Sequence, residues 1–424
     1  LELLKSSEDC LYKLPAYVYY YGQIAMDRSV NTVTQFEQSQ TLKRLPEQFF
    51  AKLVKKTQQL EAGGHDVINL GQGNPDLPTP PHIVDALKMA ASNGSYHKYS
   101  PFRGQPFLKK AVCDFYKREY DVDLDPESEV AVLFGAKTGL VELSQCLLNP
   151  GDTALLPDPG YPDYMSGIAL ADANPAFMPL KRENDFLPAY KDLNSKVLEQ
   201  AKLMFLNYPN NPTAGTATKD FFDETVSLAK KHHICVCHDF AYGALGFDGE
   251  KPRSFLESEG AKETGIEIYT LSKTYNMAGW RVGFAVGNAS VIESINLIQD
   301  HMYVSLFGAV QEAAATALKG PQDEVRKLAA TYERRRNTLI SGLKKAGCRD
   351  IQSPKGTFFA WMPVPEGFTS EEFANLLLEK AYVVTAPGNG FGAHGEGFLR
   401  IGLVRPEDRI QEACERIEKL GVFN

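Results

Sequence analysis

EVAVLFGAKTGLVEL, residues 129–143, opens as an apolar β-branched run and closes as a helix-forming one, with Gly135 at the change of period. The same alternation recurs outward from it, from Glu129 to about Gly287. Short apolar runs are VAVLF (130–134), TALLP (153–157), AFMPL (176–180), KLMFLN (202–207), ICVCH (234–238), EIYTL (267–271) and VGFAV (282–286). Longer amphipathic stretches such as DFFDETVSLAKKHH (220–233) and ASVIESINLIQDHM (289–302) lie between or after them. Strands alternating with helices mark an α/β domain. Several runs are apolar on both faces, as a mostly parallel sheet covered on both sides demands. We therefore expect a large domain, residues 86–318, with a mostly parallel seven-stranded sheet sandwiched by helices.

After Gly320 a charged helical stretch, residues 323–347, leads into short strands around TFFAWMPV (357–364), YVVTAPG (382–388) and GFLRIGL (397–403). This part, 319–424, reads as a smaller α+β domain. Residues 34–85, with the amphipathic PEQFFAKLVKKTQQLEAG (46–63) and then INLGQGNPD (68–76), are expected to join it as an N-terminal arm. Residues 1–33 are tyrosine-rich, lack the basic start and apolar middle of a signal peptide, and are read as an extension, with Met26 as a candidate natural start.

The 424 residues carry a net charge of -8, which argues against a nucleic-acid binder. No apolar run approaches the roughly 20 residues of a membrane span. Seven cysteines without a spaced framework read as reduced thiols in a cytoplasmic protein. Cys235 and Cys237 read as small core residues, and no metal site is expected.

LSKTYNMAGWRVGF (271–284) places Lys273 just after the β-branched IEIYT (266–270), with Arg281 eight positions on. A lysine between a hydroxyl-bearing strand end and an arginine suits a Schiff base with an aldehyde cofactor whose phosphate is held by Arg281, Thr270 and Ser272. Upstream, HICVCHD (233–239) ends in Asp239, a fixed carboxylate for a protonated ring nitrogen. The three groups in this order point to pyridoxal 5'-phosphate. Singly, the lysine reads as a solvated surface residue and the aspartate as a turn or cap.

The backbone N–H groups of Ala136 and Lys137 would head a helix, where an anion is favoured. A P-loop is excluded because Ala136 separates Gly135 from Lys137. Asn211, in LNYPNNPTAG (206–215), lies at a probable strand C-terminus, the edge where such sheets place ligands. It and Tyr242 are candidates to hydrogen-bond the cofactor's phenolic oxygen. Tyr161, in DPGYPDY (158–164), can stack on the ring, although a core tyrosine is the commoner reading. Arg400 lies amid apolar residues, where a buried guanidinium needs an anion: a substrate α-carboxylate, or an internal ion pair. The glycines of PGNGFGAHGEG (387–397) open no βαβ unit. His238 reads as a core histidine or as a neighbour supporting Asp239.

Taken together, KYSPFRG, GAKTGL, DPGYPDY, NYPNNPT, HDFAYGALGF, LSKTYNMAGWRVGF and FLRIGL resemble, in order, the fold-type I pyridoxal-phosphate aminotransferases of the aspartate aminotransferase superfamily. The resemblance implies Lys273 as the Schiff-base lysine, Asp239 as the ring-nitrogen partner, and Asn211 and Tyr242 at the phenolic oxygen. It implies Tyr161 as the stacking ring, Ala136, Lys137, Thr270 and Arg281 around the phosphate, and Arg400 on the substrate carboxylate. It further implies that Tyr99 reaches the neighbouring subunit's phosphate in a homodimer, and that Gly73 lies on the substrate side. Ala214 departs from the family's NPTG, and Thr270 stands where many members have serine. INLGQGNPD, HKYS, DLDPE, LNYPNNPT, HDFAYGA and SLF are similar to bacterial keto-acid transaminases of methionine salvage.

The activity so implied is ping-pong transfer of an amino group between an L-amino acid and a 2-oxo acid, with 4-methylthio-2-oxobutanoate as the expected acceptor. Aspartate, alanine, aromatic and diaminopimelate aminotransferases share the same core pattern. A C–S lyase is a rival on the same scaffold. A cofactor-sensing regulator would need a DNA-binding module, and the N-terminal part offers no helix-turn-helix pattern.

Overall fold

β-branched and aromatic runs take up the sheet positions in the computed structural model, which describes residues 36–47 and 49–423; the extension read at 1–33 lies outside them. Residues Gln40–Asn424 form one compact unit. In chain order its strands are β1 (Ile68–Asn69), β2 (Val130–Leu133), β3 (Thr153–Asp158), β4 (Asn174–Pro179), β5 (Ala201–Asn207) and β6 (Cys235–Asp239). They continue with β7 (Gly265–Thr270), β8 (Gly283–Gly287), β9 (Phe359–Pro363), β10 (Val383–Val384), β11 (Ala386–Pro387) and β12 (Phe398–Gly402).

A seven-stranded sheet runs in the order β2-β8-β7-β6-β5-β3-β4, with β8 antiparallel to both its neighbours and the other pairings parallel. Its strands show the period of two that a sheet buried on both faces requires. Val130, Val132, Met204 and Leu206 enter one core with Phe115 and Phe222, while Ala131, Leu133, Leu203 and Phe205 enter another with Leu140 and Ile292. Cys235 and Cys237 belong with the second core. Because β3, β5, β6 and β7 are parallel, their C-termini share one edge. Asp158, Asn207, Asp239 and Thr270 are those C-termini, and the site is built there.

A separate core lies around the smaller sheets, joining Phe358 and Leu399 to Leu339 and Leu343 of the helix Asp323–Lys345 and to Ile410 of the helix Glu407–Glu418. β1 pairs with β10 in parallel, which ties the N-terminal segment to the C-terminal part. YVVTAPG, expected as one strand, divides at Thr385: β10 joins β1, whereas β11 joins β12 in the sheet β11-β12-β9. No helix among the described residues is long and apolar enough to cross a membrane.

Candidate active site

Lys273 lies in a single helical turn, Leu271–Thr274, that Thr270 caps by accepting the Ser272 N–H at 3.2 Å. The turn starts where β7 ends, so the lysine projects from the C-terminal edge of the sheet. Its Nζ donates to the carbonyl of Gly73 at 3.0 Å and lies 5.3 Å from the centre of the Phe358 ring. Burial, reinforced by the cations of Arg400 and Arg281 and opposed by Asp239, pulls the Lys273 ammonium down to about 8. An amine in that range is part neutral near neutral pH, which a nucleophile or proton carrier requires.

Asp239 ends β6 beside Asn207, its register partner at the end of β5. The Asn207 side chain joins the two loops, donating to the Asp239 carbonyl at 2.7 Å and accepting from the Asn211 amide at 2.7 Å. The Asp239 carboxylate accepts from the Tyr164 hydroxyl through Oδ2 at 2.9 Å, while its buried Oδ1 accepts no well-formed hydrogen bond from any described residue. Burial pushes this carboxyl up to about 6, against the pull of Tyr164, His238, the Ala241 amide and Lys273. His238 itself faces away: Nδ1 is 2.7 Å from Glu267 Oε2, and Nε2 is 3.0 Å from the Tyr208 carbonyl. It is the satisfied core histidine of the two sequence readings.

Gly135, at φ +82°, heads the helix Ala136–Leu147 with no side chain capping its first amides. A side chain on Gly135 would collide with the Arg281 guanidinium at 2.5 Å, so glycine is what lets the cation reach the helix head. Arg281 Nη1 donates to the Ala278 carbonyl at 2.8 Å, and Thr270 donates to the Ser272 hydroxyl at 2.9 Å beside it. The Lys137 side chain turns outward to Asp163 at 2.9 Å, which leaves its backbone amide as its contribution.

Arg400 is buried on β12, and no carboxylate among the described residues pairs with it. Nη1 donates to Asn211 Oδ1 at 2.9 Å and Nη2 to the Gly71 carbonyl at 3.0 Å, while Nε has no partner among the described residues. Its guanidinium lies between the rings of Phe359 and Phe391, 4.2 and 4.6 Å from their centres. Burial lowers it to about 10, with Tyr242 and Tyr161 opposing. The internal ion pair expected as its plain alternative does not form among the described residues. Tyr242 packs edge-on against Phe358 and Phe359, and Tyr161 edge-on against Tyr164. Gly73 lies beside Arg400: a Cβ there would come within 3.1 Å of the Phe359 ring and 3.8 Å of Arg400 Nη2.

Lys273, Asp239, Arg281, Arg400, Tyr161 and Tyr242 thus form one cluster, linked through one another's charge, by the strand ends. Tyr99 stands apart from them, 87% exposed. Arg103, close to it in sequence, forks onto Glu293 and Asp300 and is not a free cation. Ala214 takes up φ +61°, the left-handed conformation, and the loop closes through Ala214 N–H to the Asn210 carbonyl at 2.9 Å, so Asn211 keeps its place.

The family model for aminotransferases of class I and II matches residues 65–417. The chain belongs to this family. This aminotransferase is 64% identical to the L-glutamine–4-(methylsulfanyl)-2-oxobutanoate aminotransferase of Bacillus subtilis, over 92% of this chain and 98% of that one. It is 46% identical to an LL-diaminopimelate aminotransferase of Syntrophobacter fumaroxidans, over 91% and 99%. Among solved structures, apo-BacF of Bacillus subtilis superposes with a TM-score of 0.89 at 49% identity, covering 92% of this chain and all of that one.

Sequence reading of the aminotransferase missed Tyr164, Asn207 and Phe391. The glycine run 387–397, which it left without a role, carries Phe391 against Arg400. That run is pinned to the end of β3 by His394, whose amide and Nδ1 lie 3.1 and 2.9 Å from the two carboxylate oxygens of Asp158.

Proposed function

We propose that this aminotransferase uses pyridoxal 5'-phosphate to move an amino group between L-glutamine and 4-methylthio-2-oxobutanoate. The observation that carries the reading is the buried Arg400 guanidinium without a carboxylate partner among the described residues, near enough to a buried lysine to help lower its proton affinity. A buried cation left unpaired costs several kcal/mol, so it belongs to a site whose anion arrives with the substrate.

The residues fit the cofactor. Arg281, the amides of Ala136 and Lys137, and the hydroxyls of Thr270 and Ser272 offer donors for its phosphate. Asp239 Oδ1 is a buried acceptor left for its ring nitrogen. Asn211 spends its Oδ1 on Arg400, which leaves its amide NH2 for the phenolic oxygen together with Tyr242, and Tyr161 offers a ring face. When bound, the cofactor supplies an aldehyde for the amino group and an electron-poor ring that accepts the electron pair left at the α-carbon.

The chain does the rest. Arg400 and Asn211 hold the α-carboxylate, and Gly73 leaves the space beside them. Lys273 provides the amine that meets the aldehyde and, once displaced by substrate, carries the proton away from the α-carbon. Asp239 keeps the ring nitrogen's proton in place. The aromatic walls at Phe359 and Phe391 exclude water around these charges.

The substrate assignment leans on the 64% identity with the Bacillus subtilis enzyme of that name. We also propose a cytoplasmic homodimer in which residues 86–318 carry the cofactor and 34–85 with 319–424 form the smaller domain. Support for the dimer comes from Tyr99 and Phe102, exposed on a segment that Arg103 ties to the helix Ala289–Met302, where Leu297 and Met302 are more than half exposed. Large apolar side chains exposed on two segments tied together in this way are what an interface would cover.

A panel of amino donors against several 2-oxo acids tests the reading on purified protein incubated with pyridoxal 5'-phosphate. We expect methionine from the methylthio acid with glutamine as donor. Release of ammonia with no acceptor present would make the protein a lyase, and protein that takes up no cofactor would end the proposal.

A further inference from the structure

A buried carboxylate that must stay charged needs something to hold it, and the tyrosine three residues after Tyr161 is placed to do so. Tyr164 is 1% exposed, with its ring stacked on Phe205 at 4.9 Å between centres and 17° between planes. Phe205 belongs to β5, whose last residue, Asn207, grips the Asp239 backbone. A phenol has a single proton, and Tyr164 gives it to Asp239 Oδ2 at 2.9 Å. The carboxylate is therefore fixed at two points, by its backbone through Asn207 and by one oxygen through Tyr164.

The Ala241 amide is a further donor that pulls the carboxyl toward ionisation, after Tyr164 in its effect, and no other side chain among the described residues takes the place of Tyr164 at Oδ2. His238 is turned to Glu267 and Tyr208. Asp163 and Tyr161, on the Tyr164 side, meet each other. Cys237, Tyr242 and Lys273 influence Asp239 through charge without bonding its Oδ2.

We infer that Tyr164 is a positioning residue for amino transfer: its hydroxyl orients the Asp239 carboxylate so that Oδ1 alone meets the cofactor's ring nitrogen, and holds that carboxylate in its charged form. This rests on reading Asp239 as the ring-nitrogen partner. Desolvation favours the neutral acid, whereas a donor aimed at one oxygen favours the anion. Tyr164 is the foremost of the groups that pull Asp239 back toward ionisation. A tyrosine that merely satisfied its own hydroxyl in the core would leave the charge on the ring indifferent to its loss.

The test is Tyr164→Phe in holoenzyme loaded with pyridoxal 5'-phosphate labelled with 15N in the ring, whose resonance reports protonation directly. In the variant the ring nitrogen should lose its proton about one pH unit lower than in the wild type, the size of one hydrogen bond to a charged group. Cofactor Kd should rise about tenfold, and kcat should fall while KM for the 2-oxo acid holds. The 3-fluoro analogue of the Tyr164 phenol, a stronger donor of nearly the same shape, should move the ring titration the other way and guards against misfolding of the phenylalanine variant. Titrations that coincide in wild type and both variants overturn the inference while leaving Asp239 in place. A wild-type ring nitrogen that is already neutral overturns the Asp239 reading itself.

Discussion

Arg400 Nη1 donates to Asn211 Oδ1 at 2.9 Å, which joins the smaller sheet to the loop that follows β5. The bond fixes a guanidinium that has no other side-chain hydrogen-bond acceptor among the described residues. Arg400→Leu removes a charge that the substrate carboxylate alone neutralises, so kcat/KM for every amino acid should fall by about 10² to 10³, the usual loss for one member of a buried charged pair. Arg400→Lys keeps the charge without the planar fork and should recover only part of it. Steady-state kinetics with cofactor titration separate the two steps, since cofactor affinity should stay close to that of the wild type. A leucine variant that turns over normally would remove Arg400 from substrate binding.

The low proton affinity of Lys273 predicts how the cofactor-free protein takes up pyridoxal 5'-phosphate. The amine reacts only when neutral, so the rate of colour formation should climb with pH through a midpoint near 8, well below that of an ordinary lysine. Arg400 is one of the cations that lower it, and Arg400→Leu should move the midpoint upward. Lys273→Ala should show no colour and lose at least about 10² in turnover, with partial rescue by added small amines. Stopped-flow absorbance over pH 6–10 reads all three, and a midpoint unmoved by loss of Arg400 would contradict the charge coupling.

Much of this site was legible because its parts sit at the ends of strands. Lys273, Asp239 and Asn211 each follow an apolar run that periodicity identifies, and parallel strands with a common direction must bring their ends to one edge. What pattern reading lacked was order across the sheet and direction of side chains. Tyr164 reaches Asp239 from 75 residues upstream, a relation that no local spacing encodes. For Lys137 the pattern places only the backbone amide at the helix head, and that its ammonium turns to Asp163 on the neighbouring helix is not encoded there. YVVTAPG reads as one strand because its apolar run is continuous, whereas the chain changes sheet at Thr385.

If Tyr99 serves the partner's phosphate, the two active sites can be complemented across subunits. Tyr99→Ala and Lys273→Ala homodimers should each be impaired. A hybrid dimer, however, has one site with an intact lysine from one chain and an intact tyrosine from the other. Dissociating and reassociating the two variants at random should recover about a quarter of wild-type activity, since half the dimers are hybrid and each has one working site. Mixing that yields only the sum of the parents would place Tyr99 outside the shared site.

Holding Asp239 charged in the interior has a cost that the cofactor-free protein should display. Burial pushes its native carboxyl up to about 6 from the ordinary aspartate value of 3.8, so between those two values the folded state binds more protons than the unfolded state. Stability from this group therefore falls as pH rises through that window and stays low above it. Asp239→Asn removes the charge while keeping the shape. The cofactor-free variant should melt a few degrees higher than the wild type at pH 7.5, and the gap should close as pH approaches 4. The same substitution should cut turnover by at least about 10², because a neutral amide cannot keep the ring nitrogen protonated. Melting curves at the two pH values check the first half and steady-state rates the second. A variant less stable than wild type at pH 7.5 would mean that the Asp239 anion is stabilised in the empty site by more than Tyr164 and its neighbours provide.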